Sequence, residues 1–203
     1  MNTLLTESPL SAGSLYRLLS GCVCPRPIAW VATQDKQRNA NLAPFSFFNV
    51  ASIDPPILAF SPLLDGSAQP KDTLRNLAEV QECVVHVGTE GLVDALNTTS
   101  ASLPRHEDEF TLAGLEKATM PGVSVPRIAA APVAFGCRLL EVKRFGDRPL
   151  AGSLVLAQIV SIHIDDTLWD GRHVDMAALQ PIGRLAGSDY VRITDRFAIE
   201  RPA

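Results

Sequence analysis

The sequence has 203 residues, with a formal net charge of −4, 46% hydrophobic residues and 20% charged residues. This length and apolar content predict a single domain over residues 1–203. Its core is expected over about residues 20–195. No basic stripe suggests a nucleic-acid partner, and no apolar run approaches the roughly 18 residues that a membrane-spanning helix needs.

The first part of the chain predicts a helix followed by a β-hairpin. Ser11–Leu19 has a serine cap and apolar residues at helical spacing, and Gly21 follows as a stop. Two β-prone runs, PIAWVAT and NLAPFSFFNV, flank a polar turn and predict two paired strands. Pro44 removes a backbone donor from the second run, so the middle of that strand is expected at a sheet edge or a bulge.

The rest of the chain continues with short strands and few helices. The predicted elements are a turn at Asp54–Pro56, a strand in ILAFSP, a helix over Pro70–Ala78 capped by Asp72 or Thr73, a strand over Cys83–Val87, a helix over Gly91–Asn97, and long strands over Val133–Phe145 and Ser153–Asp165. Six or more strands, mostly in hairpin order, favour an antiparallel barrel over a parallel βαβ sheet. No GxGxxG or GxxxxGK[ST] motif is present, which argues against Rossmann and P-loop chemistry.

The N-terminal residues and the cysteines bear on the cellular compartment. MNTLLTESPL has no basic region followed by a long apolar run, so it does not resemble a secretory signal, and a cytoplasmic protein is expected. Cys22 and Cys24 form one C-x-C pair without a second pair, which predicts no metal site and leaves a redox-active pair as an alternative. Cys83 and Cys137 stand in apolar runs and are predicted to be buried thiols.

The segment PKDTLRN is the first candidate for a binding site. A helix N-terminus offers unpaired N–H groups and the positive end of the helix dipole. Together with the Lys71 ammonium and the Thr73 hydroxyl, these groups would form a cradle for a phosphate. The alternative is an ordinary capped helix on the surface.

Three further features are candidates. The strand NLAPFSFFN carries Asn and Ser side chains that suit hydrogen bonds to the edge of a planar ring, or it packs its aromatics and exposes its polar residues. Arg184, beside Gly183 in PIGRLAGSDY, would meet an anion or a ring, or lies solvated in a Gly-rich turn. His106 in LPRHEDEF would contact a second substrate, or is simply solvated. No catalytic triad, HExxH motif or carboxylate pair is recognisable.

Six segments occur along the chain in an ordered series: PRPIAWVAT, NLAPFSFFN, DPP, KDTLRN, DEFTLAGL and GRLAGSDYVR. In order and spacing, from about Cys24 to Arg192, they resemble the motifs of the flavin reductase-like, FMN-binding split-barrel family of the flavoredoxin type. The resemblance implies a mainly β fold, an antiparallel, Greek-key-like split β-barrel with a few short peripheral helices. It also implies a homodimer with FMN bound near the dimer interface.

The same resemblance implies an oxidoreductase that transfers a hydride from NADH or NADPH to flavin, with the reactivity supplied by the cofactor. The electrons would pass to free flavin, to a partner oxygenase or to another redox protein, and His106 is a candidate nicotinamide contact. The isoalloxazine would lie against residues 41–46 and the phosphate near residues 61 and 71–73. The implied cofactor-binding residues are Arg26, Asn41, Leu42, Ala43, Pro44, Phe45, Ser46, Asn49, Ser61, Lys71, Asp72, Thr73 and Arg184.

The chain departs from the family pattern at three places. The first hairpin turn has no glycine, but Asn39 can tolerate a left-handed conformation, so the turn is expected to form. Ala186 replaces the first glycine of a Gly-Gly pair, and its methyl group is expected to crowd the ring or the nicotinamide site. Gly136 stands before Cys137 where the family often has an acidic residue.

Two other functions remain open at this stage. A flavoredoxin-like electron carrier would keep its FMN and receive electrons from a protein, without oxidising a nicotinamide itself. A binding or scaffold protein would have kept the barrel and lost the cofactor.

Overall fold

The computed structural model describes residues 10–202, which form a large antiparallel sheet with short helices around it. In chain order the elements are α1 (Ala12–Cys22), β1 (Ala29–Gln34), β2 (Ala40–Phe45), β3 (Phe48–Ile53), β4 (Pro56–Phe60), α2 (Asp72–Val80), β5 (Glu82–Val87), α3 (Val93–Thr98), α4 (Glu109–Leu112), β6 (Lys117–Ala118), β7 (Arg127–Ile128), β8 (Val133–Arg144), β9 (Ser153–Ile164), α5 (Met176–Leu179), β10 (Ile182–Arg184) and β11 (Tyr190–Arg192). Two single 3₁₀ turns lie at Glu90–Leu92 and Asp166–Leu168. Within residues 10–202, no helix is both long and apolar enough to pass through a bilayer.

The main sheet has seven strands in the order β2-β1-β5-β8-β9-β4-β3. β2 and β3 follow each other in the chain, yet they lie at opposite edges of the sheet. Only Ser46 and Phe47 connect them, so the Cα atoms of Phe45 and Phe48 are at most about 11 Å apart. The sheet must therefore roll until its two edges come close together at this junction, which confirms the predicted antiparallel barrel, although no pairing joins β2 to β3 in the seven-stranded sheet.

One predicted strand is wrong. NLAPFSFFNV was expected as a single strand, but the chain leaves β2 after Phe45 and enters β3 at Phe48. Two contacts fix the break, because Arg26 Nε donates to Ser46 Oγ and the Ser61 N–H donates to the Phe47 carbonyl oxygen at 2.8 Å. The expectation that Pro44 lies on an edge strand is confirmed, since β2 pairs only with β1 in the main sheet.

The position of β1 between two hydrophobic clusters explains its run of consecutive apolar residues. Its residues alternate between two hydrophobic clusters, with Ala29 and Val31 in one and Trp30 and Ala32 in the other. The strand is therefore buried on both faces, as its length of consecutive apolar residues indicates. Leu74 and Leu77 of α2 belong to the first of these clusters and hold the helix against the barrel.

The predicted serine cap of α1 is confirmed at Ser11, and the helix ends at Cys22, near the expected Gly21. The cap of α2 and the first turn differ from expectation, because Lys71 is the N-cap of α2 and neither Asp72 nor Thr73 caps it. In the β1–β2 turn the left-handed residue is Arg38, with φ 67°, and not Asn39. Asp35 organises this turn instead, because its carboxylate accepts the Gln37 and Asn39 N–H groups at 2.9 Å.

The predicted burial of Cys83 and Cys137 is confirmed, and the two residues lie opposite each other on β5 and β8. Gly136 on β8 also has a packing reason, since a Cβ there would collide with Ser161 Oγ on β9. The Ser161 hydroxyl donates to the Pro121 carbonyl oxygen and so is fixed in place. An acidic side chain at 136 would displace that contact.

Candidate functional site

A cleft of about 470 Å³ opens between β2, the start of α2 and the loop that follows α3. Its size falls within the range of ligand pockets, roughly 300–1,000 Å³. The cleft is lined by Tyr16, Asn41, Ala43, Pro44, Phe45, Ser46, Phe47, Ser61, Leu63, Asp65, Pro70, Lys71, Asp72, Thr73, Arg75, Thr99, Ser100, Ala101, Ser102, Leu103, Arg105 and Glu109.

The structure brings most of the predicted cofactor-binding residues into this cleft. They come from two separate segments, the β2 strand with the junction after it and the entrance to α2, with Ser61 following β4. Those that line it are Asn41, Ala43, Pro44, Phe45, Ser46, Ser61, Lys71, Asp72 and Thr73. The two candidate segments, which are about 30 residues apart in sequence, thus form one site.

The start of α2 supplies the positive end of the cleft. Within residues 10–202, the N–H groups of Asp72 and Thr73 have no hydrogen-bond acceptor, as expected for the first turn of a helix. Lys71 is exposed, and its ammonium forms no ion pair in the described part of the chain. These groups together attract an anion to this end of the cleft.

The edge of β2 forms a second side of the cleft. An edge strand leaves alternate backbone N–H and C=O groups unpaired, so they are available to a ligand. One of these groups is already used, because the Leu42 N–H donates to Glu109 Oε2 at 3.0 Å. Leu42 itself is fully buried and is held below the cleft surface.

A chain of hydrogen-bonded polar side chains, three of them in the cleft lining, joins the two ends of the cleft. Asn41 Oδ1 accepts from Thr73 Oγ1 at 3.0 Å, and Asn41 Nδ2 donates to Glu109 Oε1 at 2.8 Å. On the other side, Asn76 Nδ2 donates to Thr33 Oγ1 at 3.2 Å. The Thr73 hydroxyl proton is therefore committed to Asn41, and a phosphate would meet the backbone of this turn and not that proton.

Glu109 is the buried carboxylate of the cleft. Its exposed fraction is 6%, and desolvation by this burial raises its pKa above the ordinary value of 4.5. The Leu42 N–H and the Asn41 amide oppose the rise, because both donate to the carboxylate and favour its ionised form. Glu109 lies in the DEFTLAGL segment, but no spacing rule would have identified it as part of the site.

The loop after α3 forms the outer wall of the cleft, and Arg105 fastens it to α2. The guanidinium donates to Asp72 Oδ1 at 3.3 Å, to Asn76 Oδ1 at 3.1 Å and to Glu79 Oε1 at 3.0 Å. Arg75 pairs with the same Asp72 at 3.3 Å. The sequence did not identify Arg105. The spacing of Asp72, Asn76 and Glu79 puts three acceptors on one face of α2, but no local pattern indicates that an arginine in a later loop lies against them.

Arg26 lies outside the cleft lining and supports it from below. It is 5% exposed, and its guanidinium donates to the carbonyl oxygens of Ser20, Val23 and Leu185. Its Nε reaches Ser46 Oγ at 3.3 Å. Arg26 therefore joins the end of α1, the β2–β3 junction and the C-terminal segment.

Three other predicted residues also lie away from the cleft. Asn49 is exposed on β3, and His106 is exposed in the loop beside Arg105. Arg184 stacks on the Tyr190 ring, 4.4 Å from its centroid, and its Nη2 donates to the Gly187 carbonyl oxygen. None of these three side chains lines the cleft, unlike the nine predicted residues named above.

Gly183 in the C-terminal motif packs against the chain itself. A Cβ at Gly183 would lie 3.0 Å from Pro25 Cβ, so this glycine allows β10 to approach residues 25–26. Ala186 does not line the cleft, and its Cβ lies 3.9 Å from the position of a Cβ built on Gly21 in α1. Among residues 10–202 no three His, Cys, Asp or Glu side chains gather in a group that would hold a metal ion.

Comparison with known proteins gives consistent matches over nearly the whole chain. The family model described as the flavin reductase like domain matches residues 20–177. The YwrF protein of Bacillus subtilis (strain 168) is 40% identical over 198 residues, which cover 96% of each protein.

Two solved structures have the same architecture and more than 30% sequence identity. Nitrilotriacetate monooxygenase component B from Bacillus cereus has a TM-score of 0.90 and 33% identity, covering 98% of this chain and 100% of that one. The 2-nitrobenzoate 2-nitroreductase NbaA of Pseudomonas fluorescens has a TM-score of 0.88 and 31% identity, covering 98% of this chain and 96% of that one. The expected fold, a mainly β split barrel with few short helices, is confirmed.

Proposed function

The chain belongs to the flavin reductase-like family, as its ordered motifs predicted, and from this premise we propose that it is an FMN-dependent oxidoreductase. It takes a hydride from NADH or NADPH and passes the electrons to an acceptor. The observation that carries the proposal is the cleft itself, in which the N-terminus of α2 and the free edge of β2 face one cavity. A cytoplasmic location is part of the same proposal.

The residues present in the cleft fit FMN. A phosphate monoester needs several donors, and Lys71 with the first N–H groups of α2 provides them. A planar ring needs donors and acceptors along one edge, and the β2 backbone with Asn41 and Ser46 provides both. Lys71 and the helix dipole also favour binding of the anionic phosphate over an uncharged flavin.

Bound FMN would supply the redox chemistry, accepting a hydride and releasing electrons singly or in pairs. The protein's own residues bind, orient and exclude water. Phe45, Phe47 and Tyr16 give the cleft apolar surface, so a bound ring would be partly shielded from solvent. No side-chain nucleophile is needed, and much of the rate would come from holding donor and acceptor close together.

The electron acceptor is proposed to be a partner protein or free flavin. One solved neighbour with 33% identity is component B of a monooxygenase, which supports an oxygenase as the partner. His106 is exposed beside the cleft-lining Arg105, and we propose that it contacts the nicotinamide.

A homodimer is proposed as the working form. The edge strand β3 exposes Val50 and Ile53, which are 54% and 81% exposed, and the C-terminal segment exposes Phe197 at 87%. A second copy of the chain would cover such apolar side chains. Sedimentation velocity checks this point, because a monomer at micromolar concentration contradicts it.

The anaerobic reduction of FMN-loaded protein tests the reductase function. Bleaching of the flavin bands by NADH or NADPH is expected, and the faster of the two identifies the donor. Bands that persist with both nicotinamides contradict the reductase. Flavin bands that are unchanged by both nicotinamides but bleach with a reduced partner protein indicate the flavoredoxin-like carrier instead.

A further inference from the structure

The side chain of Asn41 has nearly all of its hydrogen-bonding capacity committed to the protein. Its Oδ1 accepts from Thr73 Oγ1 at 3.0 Å and from Thr33 Oγ1 at 3.4 Å. Its Nδ2 donates one hydrogen to Glu109 Oε1 at 2.8 Å. An amide carries two N–H donors, so one Asn41 N–H remains for a ligand in the cleft that the residue lines.

Glu109 determines which way this amide faces. An ionised carboxylate only accepts hydrogen bonds, so the Asn41 NH₂ group and not its oxygen must face Glu109. The second carboxylate oxygen accepts the Leu42 N–H at 3.0 Å, which fixes the carboxylate against the edge of β2. With an exposed fraction of 6%, the side chain has little room to turn away.

We propose that Glu109 is a positioning residue that orients Asn41, so that the remaining Asn41 N–H is presented to a hydrogen-bond acceptor on the flavin ring. This inference rests on the proposed function, since the acceptor belongs to the FMN. Without these hydrogen bonds, the Glu109 carboxylate would repel an electron-rich ring. Because the carboxylate accepts from Asn41 and Leu42, its charge instead holds the Asn41 amide with its NH₂ group in one orientation.

Replacing Glu109 by glutamine removes this control while keeping the size of the side chain. The Gln amide would meet either the Leu42 N–H or the Asn41 NH₂ with its own NH₂ group, and two donors would then face each other. Rotating Asn41 by 180° relieves the second clash, because Thr73 Oγ1 can accept as well as donate. In the Glu109→Gln variant this rotation turns Asn41 Oδ1 toward the side chain at position 109. It thereby changes the hydrogen-bonding group that Asn41 presents to the cleft.

A double-mutant cycle on FMN binding tests the proposal. Glu109→Gln and Asn41→Ala are each expected to weaken FMN binding about tenfold, the loss of one hydrogen bond to an electron-rich acceptor. The double variant should bind no more weakly than Asn41→Ala alone, because Glu109 acts through Asn41. Glu107→Gln, which removes an exposed carboxylate two residues away, is the matched control and should bind FMN as the wild type does.

Two further readouts distinguish positioning from a general loss of structure. Glu109→Gln and Asn41→Ala should shift the visible absorption bands of bound FMN in the same way, because both remove the same hydrogen bond to the ring. The flavin-free Glu109→Gln variant should melt within about 3 °C of wild type. A larger drop, losses that multiply in the double variant, or wild-type affinity in Glu109→Gln contradicts the proposal. Wild-type protein that binds no FMN contradicts the proposed function itself.

Discussion

At the scale of single residues, the polar side chains of the cleft differ in whether they already have hydrogen-bond or ion-pair partners within the chain. The Thr73 hydroxyl proton, the Asp72 carboxylate and the Arg105 guanidinium all have partners within the chain. The Lys71 ammonium forms no ion pair in the described part of the chain, although it stands at the N-cap of α2. Lys71 is therefore the side chain of the α2 N-terminus most available to an anion in the cleft.

Replacing Lys71 by alanine should weaken FMN binding about fivefold to tenfold, the value of one exposed charge-assisted hydrogen bond. Riboflavin, which has no phosphate, should bind equally to the variant and to wild type. Titration of both flavins by fluorescence quenching measures the ratio. Lys36→Ala, in the β1–β2 turn, is the control for loss of a positive charge, and an equal effect on both flavins would contradict a phosphate contact.

The buried side chain of His86 makes the stability of the barrel depend on pH. Its ring is fully buried between the Trp30 carbonyl oxygen at 2.8 Å and the Ile128 N–H at 2.9 Å, so the neutral tautomer with a proton on Nδ1 satisfies both. Burial lowers the pKa of His86 from 6.5 to about 4. The unfolded chain thus binds this proton at a higher pH than the folded chain does.

Stability should fall as the pH drops below 6.5, and the His86 contribution should be lost fully below about pH 4. Between pH 7 and pH 4.5 the expected loss is about 2.5 kcal/mol. Urea unfolding at both pH values measures it. His86→Gln should show a shallower dependence on pH, whereas His173→Gln, at an exposed site, should match wild type. Equal slopes in all three proteins would refute this role of His86.

At the scale of elements, the site depends on how a loop is held against a helix. Residues 99–105 form one wall of the cleft, and they are fixed at both ends. At the first end, Trp30 Nε1 donates to Thr99 Oγ1 at 2.8 Å, and at the other end Arg105 bonds to α2. The wall is thereby tied to the buried strand β1 and to the helix whose N-terminus faces the cleft.

Arg105→Ala should loosen this wall without unfolding the barrel. Its three partners lie on one face of α2, and the ion pairs are partly exposed, so a loss of about 1 kcal/mol of global stability is expected. Hydrogen exchange of residues 99–105 should become several times faster, and FMN should bind more weakly. Arg138→Ala, on β8 away from the cleft, serves as the control. Unchanged exchange in this loop would show that Arg105 is not what holds it.

At the scale of the whole molecule, the sequence predicted the strands well and their arrangement only in part. The long strands β8 and β9 and the buried β1 follow from apolar runs that local patterning reports. The break at Ser46–Phe47 did not, because both halves of NLAPFSFFNV have high β-propensity and only the closing of the sheet separates them. The resemblance to a known family, and not periodicity, predicted that the barrel was split.

The residues of the cleft also divide into those that the sequence identified and those that it did not. Lys71, Thr73 and residues 41–46 could be found because helix starts and polar edge strands have local signatures. Glu109 and Arg105 could not, since their roles depend on contacts with residues roughly 30 to 70 positions away along the chain. Arg26 was placed in the site, but its guanidinium is used to join α1 to the C-terminal segment.

The measurement that tests the central claim most directly is hydrogen exchange of the flavin-free protein with and without FMN. If FMN lies between the start of α2 and the edge of β2, exchange should slow in residues 41–46, 71–74 and 99–105 together. Protection confined to another region, such as the apolar groove between α1 and residues 145–151, would contradict this binding site. The absence of any protection at saturating FMN would contradict it as well.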